Sequence, residues 1–291
     1  MSWLEKLSAN TFKLVFYRKI ALFSGHSPEV MLKRALTLLD AETVEELKSY
    51  VAGKVHPSGG FTDRAGQPDL YYTLFGTFVA EALELCEINF HTRQYVENEI
   101  SNKEPEGIHR YCASILASKL NMEEKLRKNL RLKLRESMSQ QPSRQPAYDA
   151  FVTLLACYYS GDYRGILRIK HHLQKVAGNE AKPSPVIAAL IVLQHMFNRD
   201  TDELKQKVQG YYDGKGGFKA LMTAPVADLL STAVVLYASR FVDHDLRLIR
   251  PDCLSYIDSL YGEGGFAANA LDPDTDIEYT FYGLLALGSL T

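Results

Sequence analysis

Asp272, Asp274 and Asp276 alternate with other residues near the C-terminus, the densest set of side chains in the chain that could do chemistry. Alternate carboxylates could hold a Mg2+ ion bridging a diphosphate, since hard oxygen ligands suit that ion. No second acidic run completes a paired site. The plainer reading is a polar loop whose last acid caps the next helix. Sulfur and imidazole ligands are scattered. Cys86, Cys112, Cys157 and Cys253 form no C-x-x-C pair, His171 and His172 are adjacent, and His109, His195 and His244 stand alone. Zinc is therefore not expected, and the cysteines read as buried free thiols in a reducing compartment. Seventeen tyrosines and thirteen phenylalanines can line a pocket and stabilise a carbocation, or simply fill a core.

The elements that position these residues repeat. Three segments run as a polar amphipathic helix, a turn, Gly-Gly-Phe, a variable loop, and an Asp followed four residues later by Thr in an apolar helix. The phrases are Gly59-Gly60-Phe61, Gly216-Gly217-Phe218 and Gly264-Gly265-Phe266, and the pairs are Asp69 with Thr73, Asp228 with Thr232, and Asp276 with Thr280. Three degenerate copies lie between the first and second, one of them keeping Asp149 with Thr153. Apolar helices are expected to begin near residues 69, 108, 147, 184, 226 and 276. They carry small residues among large ones, as crowded inner helices should, while stretches such as 122–137 show polar faces. Six helix pairs closing a ring follow from this count, and with few alternating β-branched runs no sheet is expected. The glycines permit a tight stop, the Phe plugs it, and the Asp caps the inner helix or ties it to the preceding loop. These recurring positions read as scaffold before chemistry.

Over 291 residues, 46% are apolar and 23% charged, and the formal net charge is -2. That composition suits a large globular core and gives no basic footprint for nucleic acid. The N-terminus shows no signal-peptide pattern and no stretch is long and apolar enough to span a bilayer, so a cytoplasmic protein is expected. Residues 1–28 read as an amphipathic helical segment, with Trp3, Leu4, Phe12 and Phe16 among Lys6, Lys13, Arg18 and Lys19. It would pack on the ring or make a peripheral membrane contact. Residues 29–291 form the repeat domain.

In phrase, order and period the chain resembles the β subunits of protein prenyltransferases and the related squalene-hopene and oxidosqualene cyclases. The resemblance implies an all-α (α/α)6 toroid of six helix pairs with a hydrophobic funnel. In the prenyltransferases zinc is held by an Asp, a Cys two residues on and a distant His. Asp69 matches the Asp, but Tyr71 stands at the Cys position and Tyr279 where a His would precede the Thr, so zinc-dependent transfer is disfavoured. Arg64 and Tyr72 fall where the family places an arginine and a tyrosine against the isoprenoid diphosphate, and Gln67 replaces a lysine between them. Class II cyclases resemble the last repeat with Asp-x-Asp-Asp-Thr. Here the run is Asp276-Ile277-Glu278-Tyr279-Thr280, which keeps Glu278 at the position of the proton donor and loses the acid after it. The implied function is a zinc-independent isoprenoid-handling enzyme, prenyltransferase-like or cyclase-like, with Glu278 or Asp276 as acid and Arg64, Asp69, Tyr71, Tyr72, Tyr279 and Tyr282 about the substrate. A helical partner subunit is a further expectation of the resemblance. The alternatives are a non-catalytic toroid that binds a partner protein, and a sugar-cleaving toroid, against which the Gly-Gly-Phe phrase argues.

Overall fold

Four aspartates set where helices begin. Asp40, Asp69, Asp228 and Asp276 take extended backbone, and each accepts a hydrogen bond from the amide three residues on, at 2.7 to 2.8 Å. This satisfies an amide that a helix N-terminus leaves open. The computed structural model describes residues 20–137, 146–162 and 182–291, together with 165, 166, 168 and 169. The chain is mostly helical there. In order come α1 (Pro28–Leu36), α2 (Ala41–Gly53), α3 (Leu70–Ala82), α4 (Cys86–Asn102), α5 (Gly107–Lys119), α6 (Glu124–Ser137) and α7 (Pro146–Tyr159). Then follow α8 (Ser184–Met196), α9 (Asp202–Gln209), α10 (Leu229–Phe241), α11 (Arg250–Asp258), the strands β1 (Tyr261–Gly262), β2 (Gly265–Asn269) and β3 (Asp272–Asp276), and α12 (Ile277–Ser289). The amphipathic stretch before residue 20, His171 and His172, and the side chain of Asp149 lie outside the described residues.

Two kinds of helix separate by burial. Ten of the thirteen residues of α3 and eleven of the thirteen of α12 are buried, against Leu47 and Val51 alone in α2. The apolar helices pack in sequence: α3 on α5, α5 on α7, α7 on α8, α8 on α10, α10 on α12, and α12 back on α3. The polar helices lie outside them, α2 and α4 against α3, α6 against α5, α9 against α8 and α11 against α12. The first helix, α1, buries Pro28, Met31, Leu32 and Ala35 and packs on α12 and α3.

The Gly-Gly-Phe copies fold alike. The first glycine has φ +99° at Gly59 and +106° at Gly216, the left-handed region in which a Cβ is unfavourable. A Cβ there would also collide with the carbonyl of His91 or Asp252 on the next polar helix. Phe61, Phe218 and Phe266 are at most 3% exposed. Each Phe amide donates to the Thr hydroxyl of its own repeat: Phe61 to Thr73 at 3.0 Å, Phe218 to Thr232 at 2.9 Å, Phe266 to Thr280 at 3.3 Å. The Asp-x-x-x-Thr spacing is thereby explained. The Asp caps the helix, and the Thr one turn later ties in the incoming loop. The rings of Phe61 and Phe266 press on Gly76 and Gly283, where a Cβ would collide.

The last repeat departs from the all-helical expectation, because β1, β2 and β3 form an antiparallel sheet in that order. Its first hairpin closes in two residues, Glu263 at φ +52° and Gly264 at φ +79°, a turn whose twist matches paired strands. In the other two copies three residues lie between His56 and Gly60 and between Asp213 and Gly217, and isolated bridges form in place of strands: Val55 to Phe61 and Thr62 to Pro68 in the first, Tyr212 to Phe218 in the second. Across the second hairpin Phe266 pairs with Asp276, Ala267 with Thr275 and Asn269 with Asp272. The acids near residue 272 therefore stand on a strand, with Asp276 as the helix cap. Cys112, Cys157 and Cys253 are buried free thiols, whereas Cys86, expected to be buried too, is exposed at the start of α4.

Thr73→Val should leave the buried Phe61 amide without an acceptor at nearly constant volume, costing about 1–3 kcal/mol. Thr73→Ser keeps the hydroxyl and should cost about 1 kcal/mol. Urea unfolding measures both, and equal losses would show that the hydrogen bond contributes nothing.

Candidate functional site

Because α12 packs back on α3, the second and third residues of both helices meet although about 200 positions separate them in the chain. The hydroxyl of Tyr71 on α3 donates to Glu278 Oε1 on α12 at 2.7 Å. Burial and the nearby Asp276 charge raise the Glu278 carboxyl to about 7, against the lowering effect of the Tyr71 bond and Arg64. Such a group exchanges a proton near neutral pH, which suits general acid or base work. Burial, then Asp276 and Glu278, raise Tyr72 to about 12, and burial, then Glu278 and Asp276, do the same for Tyr279. Both phenols stay protonated and can donate.

Arg64, on the loop before α3, reaches across to the last repeat. Its Nε donates to Asp276 Oδ2 at 2.7 Å, its Nη1 to both Asp272 oxygens at 2.9 and 2.7 Å, and its Nη2 to the Asp274 carbonyl at 3.2 Å. The guanidinium lies 5.6 Å from the centre of the Tyr279 ring. Every nitrogen of the fork is engaged, and Asp276 accepts this bond while capping α12 through Tyr279 N. Asp69 is likewise used as a cap, for Tyr72 N.

Below this rim lies an apolar cavity of about 110 Å³ between the apolar helices. Tyr71, Phe75, Phe78, Phe281 and Tyr282 form one wall, and Ala188, Ala189 and Val234 stand among the residues of the other helices. The aromatic wall interlocks, with Phe75 4.9 Å from Phe281 and 5.5 Å from Tyr282, centre to centre, the tilted separations that aromatic pairs prefer. Glu278 does not line the cavity. Tyr71 does, and connects the two.

Pro28 lines the cavity where α1 begins, and the chain around it is fastened by polar groups. Lys119 Nζ, its side chain 6% exposed, pairs with Glu29 at 2.5 Å and Glu81 at 2.6 Å, and Tyr159 donates to Glu29 at 2.7 Å. Burial alone would raise the Glu29 carboxyl, but Lys119 and Tyr159 hold it below the usual glutamate range. Tyr237 donates to the His26 carbonyl at 2.8 Å, and the Ser24 and Tyr158 hydroxyls share a hydrogen bond. Sequence reasoning missed this group entirely. A lone lysine at the end of an apolar helix was its only trace.

The structure thus brings all eight named residues, Arg64, Asp69, Tyr71, Tyr72, Asp276, Glu278, Tyr279 and Tyr282, to one end of α3 and α12. Tyr158 and Tyr159 on α7 hydrogen-bond to Ser24 and Glu29. Asp272 gives both oxygens to Arg64, and Asp276 gives one to Arg64 and one to the Tyr279 amide. Among the described residues no three His, Cys, Asp or Glu side chains group to hold a metal, and no helix is long and apolar enough to cross a membrane.

Arg64→Met would strand the Asp276 carboxylate, whose side chain is 4% exposed. Losing one partner of a fully buried pair costs about 3–5 kcal/mol. Arg64 itself is 34% exposed, so about 1–2 kcal/mol is expected in urea unfolding, and an unchanged midpoint would show the clamp to be inert. The raised Glu278 group means the folded chain holds more protons than the unfolded one between the ordinary value of 4.5 and about 7. Stability should therefore fall as pH rises through that window, by about 2 kcal/mol. Glu278→Gln should remove that component, and identical pH profiles for variant and parent would contradict the assignment. Comparison of the chain with models of known protein families and with curated proteins finds no match.

Proposed function

We propose that this chain is an (α/α)6 toroid that handles isoprenoids without zinc, holding a polyprenyl chain in the cavity between its inner helices and its reactive end at the Glu278 rim. The observation that carries the reading is the junction at Tyr71, whose ring lines an aromatic, apolar cavity and whose hydroxyl is bonded to Glu278. The closed order of packing, α3 through α12 and back, supports the ring. Aromatic faces accept hydrocarbon and attract developing positive charge.

Of the two candidate acids the reading favours Glu278. Asp276 is occupied by the helix cap and by Arg64. A carboxyl raised to about 7 is too weak an acid to protonate an isolated carbon–carbon double bond readily. It is well matched to an oxygen leaving from an allylic carbon. The C–O bond breaks with its electron pair on oxygen, the Glu278 proton goes to that oxygen, and the allylic cation forms beside Tyr71 and Phe75. Whether a nucleophile or an internal double bond then captures the cation distinguishes transfer from cyclisation.

The size of the cavity favours a second reading. About 110 Å³ is below the roughly 300–1,000 Å³ of drug-sized ligand pockets, so a polyprenyl chain requires the aromatic wall to open. A non-catalytic toroid that binds a partner protein would not. Ala189→Trp, which fills the cavity wall, separates the two readings. Titration of zinc-free protein with C10, C15 and C20 isoprenoids should give saturable binding that this substitution weakens at least tenfold. No saturable binding at any chain length would leave the scaffold reading standing.

A further inference from the structure

The rim shows which polar end a bound chain would carry. Asp276 acts on the hydroxyls of both Tyr72 and Tyr279, Asp69 on the first and Asp228 on the second, against the positive charge of Arg64, and Glu278 beside both is about half charged at neutral pH. Arg64 has already given Nε and Nη1 to carboxylates and Nη2 to a carbonyl. An incoming diphosphate would compete with Asp272 for the guanidinium and would face the neighbouring acids. A neutral oxygen meets no such opposition. The Tyr72 and Tyr279 hydroxyls hydrogen-bond to no described residue. They stand beside Tyr71 and Tyr282, which line the cavity, with ring centres 5.7 and 6.4 Å apart. Glu278 gives one oxygen to Tyr71, and its Oε2 makes no hydrogen bond to a described residue.

We propose that the site takes a neutral amphiphile, an isoprenoid ending in a hydroxyl or carbonyl oxygen, with Tyr72 and Tyr279 donating to that oxygen, and that it discriminates against diphosphates. The proposal rests on the cavity reading above and adds the identity of the head group. Arg64 in this account is a positioning residue that holds β3 and α12, not an anion receptor. The carboxylates that neutralise it set the specificity.

The test uses the full chain at pH 7, with and without Mg2+, and measures displacement of a fluorescent hydrophobic probe by farnesol, by farnesyl diphosphate and by a saturated hydrocarbon of the same length. Farnesol should displace the probe at a concentration at least tenfold below that of the diphosphate. Tyr72→Phe and Tyr279→Phe should each weaken farnesol several-fold and leave the hydrocarbon unchanged. Asp272→Asn alters a side chain that is 40% exposed and so keeps the test open if a tyrosine variant fails to fold. By removing a negative charge and one of the two acceptors of Nη1 it should narrow the gap by strengthening the diphosphate. Diphosphate binding as tight as farnesol's would overturn the head-group assignment while the cavity reading stands, and so would hydrocarbon binding as tight as farnesol's. Failure of all three to displace the probe would overturn both.

Discussion

One guanidinium joins the two ends of the repeat array. Arg64 lies on the loop of the first Gly-Gly-Phe copy, and both carboxylates it holds belong to the last. A closed set of packed helices has one junction that chain connectivity does not make, here between α12 and α3, and side chains must hold it. Arg64 does so while steadying the cap of α12, whose second and third residues are Glu278 and Tyr279. The clamp stands beside the Tyr71–Glu278 hydrogen bond and the Phe75–Phe281 ring contact, which join the same two helices. Arg64 is thereby largely committed within the fold, since Nε and Nη1 are given to carboxylates and Nη2 to the Asp274 carbonyl, and the charge of the fork is offset by Asp272 and Asp276.

Within each repeat a smaller device recurs. A buried Thr hydroxyl accepts from the Phe amide, and in the second and third copies it donates a hydrogen bond to the backbone carbonyl of the capping Asp. Buried amides and carbonyls must be paired, and this arrangement pairs them where a polar helix stops and an apolar one begins. It fixes the entry angle of the inner helix, and so where its second and third residues point. Tyr71 faces the cavity and Glu278 faces Tyr71 because the caps at Asp69 and Asp276 place them there.

Much of this was legible in the sequence, for definable reasons. The Gly-Gly-Phe phrase and the Asp-to-Thr spacing are local, so they marked the starts of α3, α10 and α12 closely. The small residues of the apolar helices marked those that pack on one another. The Asp276 cap was also foreseen. What escaped was non-local or one residue deep. The last copy is shorter by a single residue in its first turn, where paired strands β1 and β2 replace an isolated bridge, and β3 adds across a second hairpin; no periodicity announces that. The pairings of Arg64 with Asp272, Tyr71 with Glu278, and Lys119 with Glu29 span between 90 and 208 positions. Single-sequence patterns carry no information about them. The arginine was read by its family position as an anion receptor. Only its partners show the charge to be already spent.

The most direct test is a crystal structure of the chain grown with farnesol. The account predicts hydrocarbon density between Phe75, Phe281 and Tyr282, its oxygen within hydrogen-bond reach of Tyr72 or Tyr279, and Arg64 still bound to Asp272 and Asp276. Farnesol bound only on the outer surface, with the cavity closed as before, would contradict the claim that this cavity and its rim are the functional site.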